Sequence, residues 1–255
     1  VAIGRRHDEH QGRRDFTSLA IAPNGTPYVA YEDGGNGYGV TVMEFTGITD
    51  DMPSGWTLVG AAGFSGVGSD YISLTFDSNS TPYVAYRAVN GDRTANVWKF
   101  TGDSWTQVGS PVSDGVTANL SLAIYHSASG TDTPYLAYSD YGNGAGGGLT
   151  VRKFDGSTWT TVGAAVFSTR PSSDFFMSLV IDSSGTPYVA YSDTANGYKA
   201  TAMKFNGSAW ATVGLAGFSA GKAYAPRTRW SSTPAVRPTW GIRITATALT
   251  ARLPS

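Results

Sequence analysis

Thr26-Pro27-Tyr28-Val29-Ala30-Tyr31 is a phrase this chain repeats. Thr81 to Tyr86 spells it again, Thr133 to Tyr138 carries it with Leu136 in place of valine, and Thr186 to Tyr191 gives it a fourth time. The phrase returns every 52–55 residues. A period of this size marks a solenoid, propeller or array, whose units cannot bury their apolar faces alone.

The unit from Asp174 to Gly214 shows the grammar. Ser178-Leu179-Val180-Ile181 is a short β-rich run, and Asp182-Ser183-Ser184-Gly185 supplies turn residues. Pro187 to Tyr191 is a second run, with proline tolerated at a strand's first position. Asp193 to Gly197 is a polar loop. Thr201-Ala202-Met203-Lys204-Phe205 alternates, so Thr201, Met203 and Phe205 share one face. Asn206-Gly207 turns the chain, and Trp210 to Val213 makes a fourth run. The same elements recur, giving units near 15–60, 70–109, 119–163 and 174–214 within a repeat region of 15–225. No stretch has a helical period. Four antiparallel strands per unit predict an all-β fold, a β-propeller or open arc of blades; another stacked β array is the alternative.

Each unit has a tryptophan opening its fourth strand (Trp56, Trp105, Trp159, Trp210) and a phenylalanine ending its third (Phe45, Phe100, Phe154, Phe205). These eight rings are expected to cement neighbouring sheets. Alternating strand direction puts the first-to-second and third-to-fourth turns on one rim. The longer second-to-third and inter-blade loops fall on the other, which is the expected functional face.

Composition bounds the rest. The chain has 255 residues, a formal net charge of −1 and only 15% charged residues. That weighs against nucleic-acid binding, which needs clustered Lys and Arg. No apolar run approaches a membrane span. Cysteine is absent, so there are no disulfides and no thiolate metal sites.

Both ends abandon the repeat. Residues 1–14 and 226–255 are Arg-, Pro- and Ala-rich. Read one base earlier, codons for Trp230 to Ala246 can spell I-D-S-S-G-T-P-Y-V-G-Y-Q-D-Y-G, closely echoing Ile181 to Asp193. The recovered T-P-Y falls where a fifth unit is due. Read one base later, Val1 to Arg6 can encode W-x-L-V-G-A. Both ends are therefore expected to be frame-shifted text of further blades, and the chain a piece of a longer protein.

Asp155-Gly156-Ser157-Thr158-Trp159 resembles the Asp-box of sialidase-type propellers, one residue shorter than that pattern. Thr101 to Trp105 and Asn206 to Trp210 are looser relatives. In that family the box is structural. The whole unit, with its T-P-Y-V-A-Y and K-F-x-G-x-x-W-x-x-V-G phrases, is similar to repeats of bacterial surface or secreted proteins and to fucose-lectin-like propellers. The resemblance covers about residues 15–220 and implies the propeller architecture rather than a ligand. The expected function is a non-enzymatic module outside the cell or on its surface that binds carbohydrate through loops on one rim; the alternatives are a structural or protein-interaction array and, behind it, a glycoside hydrolase or lyase propeller.

Among chemical candidates, Gly217-Phe218-Ser219-Ala220-Gly221 matches a nucleophile elbow, and Ser219 with Lys222 matches S-x-x-K. The elbow needs a strand–turn–helix context, absent here; Gly63-Phe64-Ser65 and Val166-Phe167-Ser168 are the same loop in other units. No catalytic residue is assigned. His126 reads as an exposed turn residue, and no metal-binding motif occurs.

The best site candidate is a loop written three times: Asp33 with Asn36, Asp140 with Asn143, and Asp193 with Asn196, the first and last followed by Tyr38 and Tyr198. Its Asp and Asn oxygens could receive sugar hydroxyls beside a tyrosine, or hold Ca²⁺. Equally, Asn-Gly supplies the positive φ of a hairpin turn and Asp caps its own loop. A full calcium loop would show more acidic ligands, so no cofactor is assigned and calcium stays the alternative occupant. The expected partner is a glycan or protein ligand, with no nucleic acid and no membrane insertion. Further blades or a second copy are expected to complete the array.

Overall fold

The computed structural model describes residues 16–50, 54–142, 146–168 and 177–223. The end segments 1–14 and 226–255, and Asn143, lie outside them. The described residues form four antiparallel sheets, each a simple meander of four strands. Sheet I holds β1 (Thr17–Ile21), β2 (Pro27–Asp33), β3 (Gly39–Phe45) and β4 (Trp56–Leu58). Sheet II holds β5 (Ser69–Phe76), β6 (Pro82–Ala88), β7 (Ala95–Phe100) and β8 (Trp105–Gln107). Sheet III holds β9 (Thr117–His126), β10 (Asp132–Asp140), β11 (Gly148–Phe154) and β12 (Trp159–Thr161). Sheet IV holds β13 (Met177–Ile181), β14 (Pro187–Asp193), β15 (Lys199–Phe205) and β16 (Trp210–Thr212).

The repeated phrase is the second strand of every sheet. Proline stands at the strand's start, where Pro27 pairs Ile21 and Pro187 pairs Ile181. The preceding turn closes through Gly25 N to Ala22 O at 2.8 Å, with Gly25 at φ +89°. Two details differ from the sequence reading. The second strand of sheet IV continues past Tyr191 to Asp193, which pairs with Lys199. In the following loop the left-handed residues are Gly37 with Tyr38 and Gly197 with Tyr198, not the asparagines. Asn36 and Asn196 instead close single 3₁₀ turns capped by Asp33 and Asp193. The aspartate cap draws the chain into a helical turn, which shifts the positive φ one residue on.

The sheets stack in chain order, with first strands β1, β5, β9 and β13 neighbouring one another. The array is open. Strand alternation then gives every sheet two different faces. In sheet I, Tyr28 and Ala30 pack onto Leu74, Phe76, Val84 and Tyr86 of sheet II. Tyr83 and Ala85 repeat this against Leu122, Ile124, Leu136 and Tyr138. Tyr135 and Ala137 do the same against Leu179, Val189 and Tyr191. The core therefore lies between sheets, and a Tyr/Ala face always meets a Leu/Val/Tyr face.

Polar ties fix the same register. Ser18 Oγ accepts from Leu74 N at 2.7 Å, Ser73 Oγ from Leu122 N at 3.1 Å, and Ser121 Oγ from Leu179 N at 2.9 Å. Nearer the outer edge, Trp105, Trp159 and Trp210 each donate the indole N–H to the valine oxygen of the preceding sheet: Val59, Val108 and Val162, all at 2.8 Å. The glycine after each valine is left-handed, and a methyl on Gly60 would stand 2.9 Å from Phe100 Cε2. Only glycine lets the next sheet's rings approach so closely. Phe64 and Phe167 complete the seal by stacking on Trp105 and Trp210, with centroids 4.3 and 4.2 Å apart. Burying one indole removes up to about 150–250 Å² from water, an upper bound of about 4–6 kcal/mol at ~25 cal/mol/Å².

Candidate functional site

The second-to-third loops and the inter-sheet loops share a rim and are tied together there. Asp33 accepts three hydrogen bonds: Oδ1 from Gly35 N at 2.9 Å, and Oδ2 from Asn36 Nδ2 at 2.9 Å and Thr41 Oγ1 at 2.7 Å. Thr41 Oγ1 in turn accepts from Gly63 N at 2.8 Å, in the loop leading to sheet II. Tyr38 N donates to Asp33 O, and Tyr38 O receives both Ser69 N and Ser69 Oγ. Hydrogen bonds from Thr41 and then Asn36 hold the Asp33 carboxyl below its usual range, against the opposing effect of burial.

Sheet IV repeats this nearly atom for atom. Asp193 accepts from Ala195 N at 3.0 Å, Asn196 Nδ2 at 2.8 Å and Thr201 Oγ1 at 2.8 Å, and Gly217 N donates to Thr201 Oγ1. Lys222 Nζ lies 5.2 Å from the Tyr198 ring centre. In sheet III, Asp140 accepts from Gly142 N and Thr150 Oγ1, and Val166 N donates to Thr150 Oγ1. Sheet II has Ala88 at the aspartate's place. Arg87 beside it pairs with Asp70, donates to Thr117 O at 2.8 Å, and lies 4.8 Å from the Tyr71 ring centre. Burial there outweighs the arginine and pushes the Asp70 carboxyl above its usual range.

These geometries sort the candidates by task. The carboxylates of Asp33 and Asp193 are engaged by donors of their own loop, which gives the loop its shape. Asn36 spends its amide nitrogen on Asp33 and keeps its amide oxygen as an acceptor, on an exposed turn beside the half-buried Tyr38. One carboxylate per loop, already accepting hydrogen bonds, does not supply the six to eight oxygens of a calcium site. Among the described residues no three His, Asp or Glu side chains cluster to hold a metal ion.

Ser219 has a plain structural task. Its Oγ accepts from Ala200 N at 3.0 Å and donates to Gly221 O at 2.6 Å. Ser65 and Ser113 do the same, towards Val40 and Ala95 on one side and Val67 and Gly115 on the other. The match to a nucleophile elbow is therefore a recurring loop brace.

On the opposite rim the sequence reading missed two features. A cleft of about 610 Å³ between sheets I and II is lined by Tyr28, Glu44, Asn79, Phe100 and Asp103, and Tyr28 donates its hydroxyl to Glu44. Glu44 stands where Lys99, Lys153 and Lys204 stand in the other sheets; that break in the repeat was the available signal. Nearby, Asp132 joins two sheets: Oδ2 accepts from Ser78 N at 2.8 Å and Ser78 Oγ at 2.6 Å, and Oδ1 lies 2.6 Å from His126 Nδ1. The serine faces the aspartate and not the imidazole, so this is a clasp and not a nucleophile with its base.

No protein-family model matches the sequence, and no curated protein matches it. Solved structures do. A triple variant of AofleA from Arthrobotrys oligospora superposes with a TM-score of 0.59 at 13% identity, over 82% of this chain and 58% of that one. The Aleuria aurantia lectin in complex with Fucα1-6GlcNAc gives 0.54 at 18% identity, over 81% and 65%. A protein of unknown function from Dyadobacter fermentans gives 0.51 at 16%, over 79% and 69%. The chain thus spans less than two thirds of either of the first two proteins. At these identities the likeness establishes the fold, and the four sheets are blades of a β-propeller.

Proposed function

We propose that this chain is a non-enzymatic carbohydrate-binding module acting outside the cell, with its sites on the rim of long loops. The observation that carries the reading is the twice-built loop in which aspartate braces the turn through the asparagine amide nitrogen and leaves the amide oxygen on an exposed turn, with a half-buried tyrosine two residues after the asparagine. Asn36 with Tyr38, and Asn196 with Tyr198, are the contacting pairs. Asp33 and Asp193 position them; Asp140 braces the third loop in the same way, and Asn143, which follows it in sequence, lies outside the described residues. A tyrosine face packs against the apolar side of a pyranose while the amide takes a hydroxyl. Likeness to a fucose-specific lectin, also crystallised with fucosides, supports a glycan as the ligand class.

Single sites of this kind are weak, and several on one rim gain avidity when the glycan is displayed densely. A glycosidase would need two carboxylates facing one bond, whereas Asp33 and Asp193 are committed to their own loops. The second reading, a protein-interaction array, is favoured by the apolar end faces described below. The test is a glycan array probed with the protein at high density, followed by titration of any hit against the Y38A and Y198A variants. Retention that falls in both variants supports the rim site; no retention on any glycan overturns it.

A further inference from the structure

The inter-blade interface is built from two unlike halves, and the described array has one of each left over. The leading half carries the Leu/Val/Tyr face and the tryptophan. The trailing half carries the Ser/Tyr/Ala face, the valine oxygen, the glycine and the loop phenylalanine. In sheets II and III the whole second strand from Tyr83 to Tyr86 and from Tyr135 to Tyr138 is buried. In sheet I, Tyr28 and Ala30 are buried but Val29 and Tyr31 are only half-buried. In sheet IV the parity inverts: Val189 and Tyr191 are buried while Tyr188 and Ala190 are half-buried. Among the described residues each end blade lacks a neighbour, on opposite sides.

The unmatched groups agree. Ile21 on the leading face is 58% exposed, where its equivalents Phe76 and Ile124 are 6% and 8%. Trp56 keeps its edge contact with Phe45 at 5.5 Å, yet among the described residues no carbonyl receives its indole N–H. At the other end, among the described residues Val213 O receives no indole, and the Cβ position of Gly214 meets nothing within 4 Å. Phe218 is 44% exposed, and no tryptophan among the described residues stacks on it. One donor set and one acceptor set remain, on opposite ends.

We infer that these two faces are halves of one interface, filled head to tail by a second copy of this chain. Trp56 of one copy donates to Val213 O of the other and covers its Gly214, with Phe218 stacked on the indole. The indole-to-valine bond is already used three times inside the chain and the phenylalanine stack twice, so the occupant is set by continuity and not by apolarity alone. A heterologous contact either closes or runs on as a filament. Two copies give eight blades, inside the usual range of about 4–8 for a propeller, so the expected product is a closed pair.

The test is mass in solution by light scattering across a wide concentration series, with W56K and F218D. The full chain should have twice its 26.8 kDa, and each variant alone should fall to the single mass. Mixing the two should restore the double mass, because each retains the half that the other has lost; a misfolded variant could not do this. A full chain that stays at single mass, its end faces covered by its own residues, overturns the inference. So does a pair that survives both substitutions, a mixture that fails to recombine, or a mass that grows without limit.

Discussion

The indole N–H of Trp105 donates across 2.8 Å to the main-chain oxygen of Val59, from one blade to the blade before it. The bond does two things at once. It satisfies a polar group on a 7%-exposed ring, and it sets how far one sheet slides along its neighbour. Three such bonds between consecutive blades make the register of the array a matter of single atoms.

Replacing Trp159 with phenylalanine keeps a ring and strips the donor, leaving Val108 O unpaired inside the interface. The expected loss is about 1–3 kcal/mol, against about 3–5 kcal/mol for alanine, which also opens a cavity. Trp56→Phe, measured at low protein concentration, should cost under about 0.5 kcal/mol, since its N–H meets no acceptor among the described residues. Urea unfolding of the three variants checks the ranking.

Gly109 and Gly214 are left-handed at φ +71° and +73°, so alanine at either costs about 1–2 kcal/mol of backbone strain. Only at Gly109 does a methyl also collide, 2.8 Å from Phe154 Cε2. Gly109→Ala is therefore expected to be the more damaging by about 1–3 kcal/mol. Equal losses in thermal melts would show that the close approach carries no energy.

Much of this was readable from the chain and some was not. The period and the strand–turn text gave sixteen strands in order, because a local alternation of apolar and polar residues decides a strand. The phrase Tyr28-Val29-Ala30-Tyr31 is apolar throughout, so the sequence does not reveal that its two sides meet different partners. The bonds of Trp105 and Ser18 were equally hidden, since each depends on inter-blade register. At the rim, Asp33 and Asn36 were legible as a pair but not as partners of each other. Thr41, which completes the brace, sits eight residues on and reads as an ordinary strand residue.

Acid should loosen the clasp at Asp132. Burial there works to raise the pKa, but the hydrogen bonds from Ser78 and then His126 outweigh it and hold the carboxyl below its usual range. A depressed folded-state pKa contributes stability above the unfolded value and loses it as pH falls through the folded one. The melting-temperature gap between the native protein and Asp132→Asn should be fully present at neutral pH and close as pH drops below the ordinary carboxylate value. A gap unchanged down to the folded pKa and beyond would mean that the clasp is idle.

Alkali acts on the inter-blade tyrosines. Burial, the largest cause, pushes both Tyr83 and Tyr86 up to about 12. Asp77 and Asp132 add to the effect at Tyr83, whereas the neighbouring Trp98 partly offsets it at Tyr86. In the unfolded chain these phenols ionise near 10, so the unfolded state loses protons first. Stability that is complete below pH 10 should fall between there and about 12, the span set by the two shifted values. Phenolate absorbance and the unfolding transition, followed together, should rise in one step for these residues, because ionising either requires the blades to part. Free titration near 10 with the fold intact would mean that water reaches the interface.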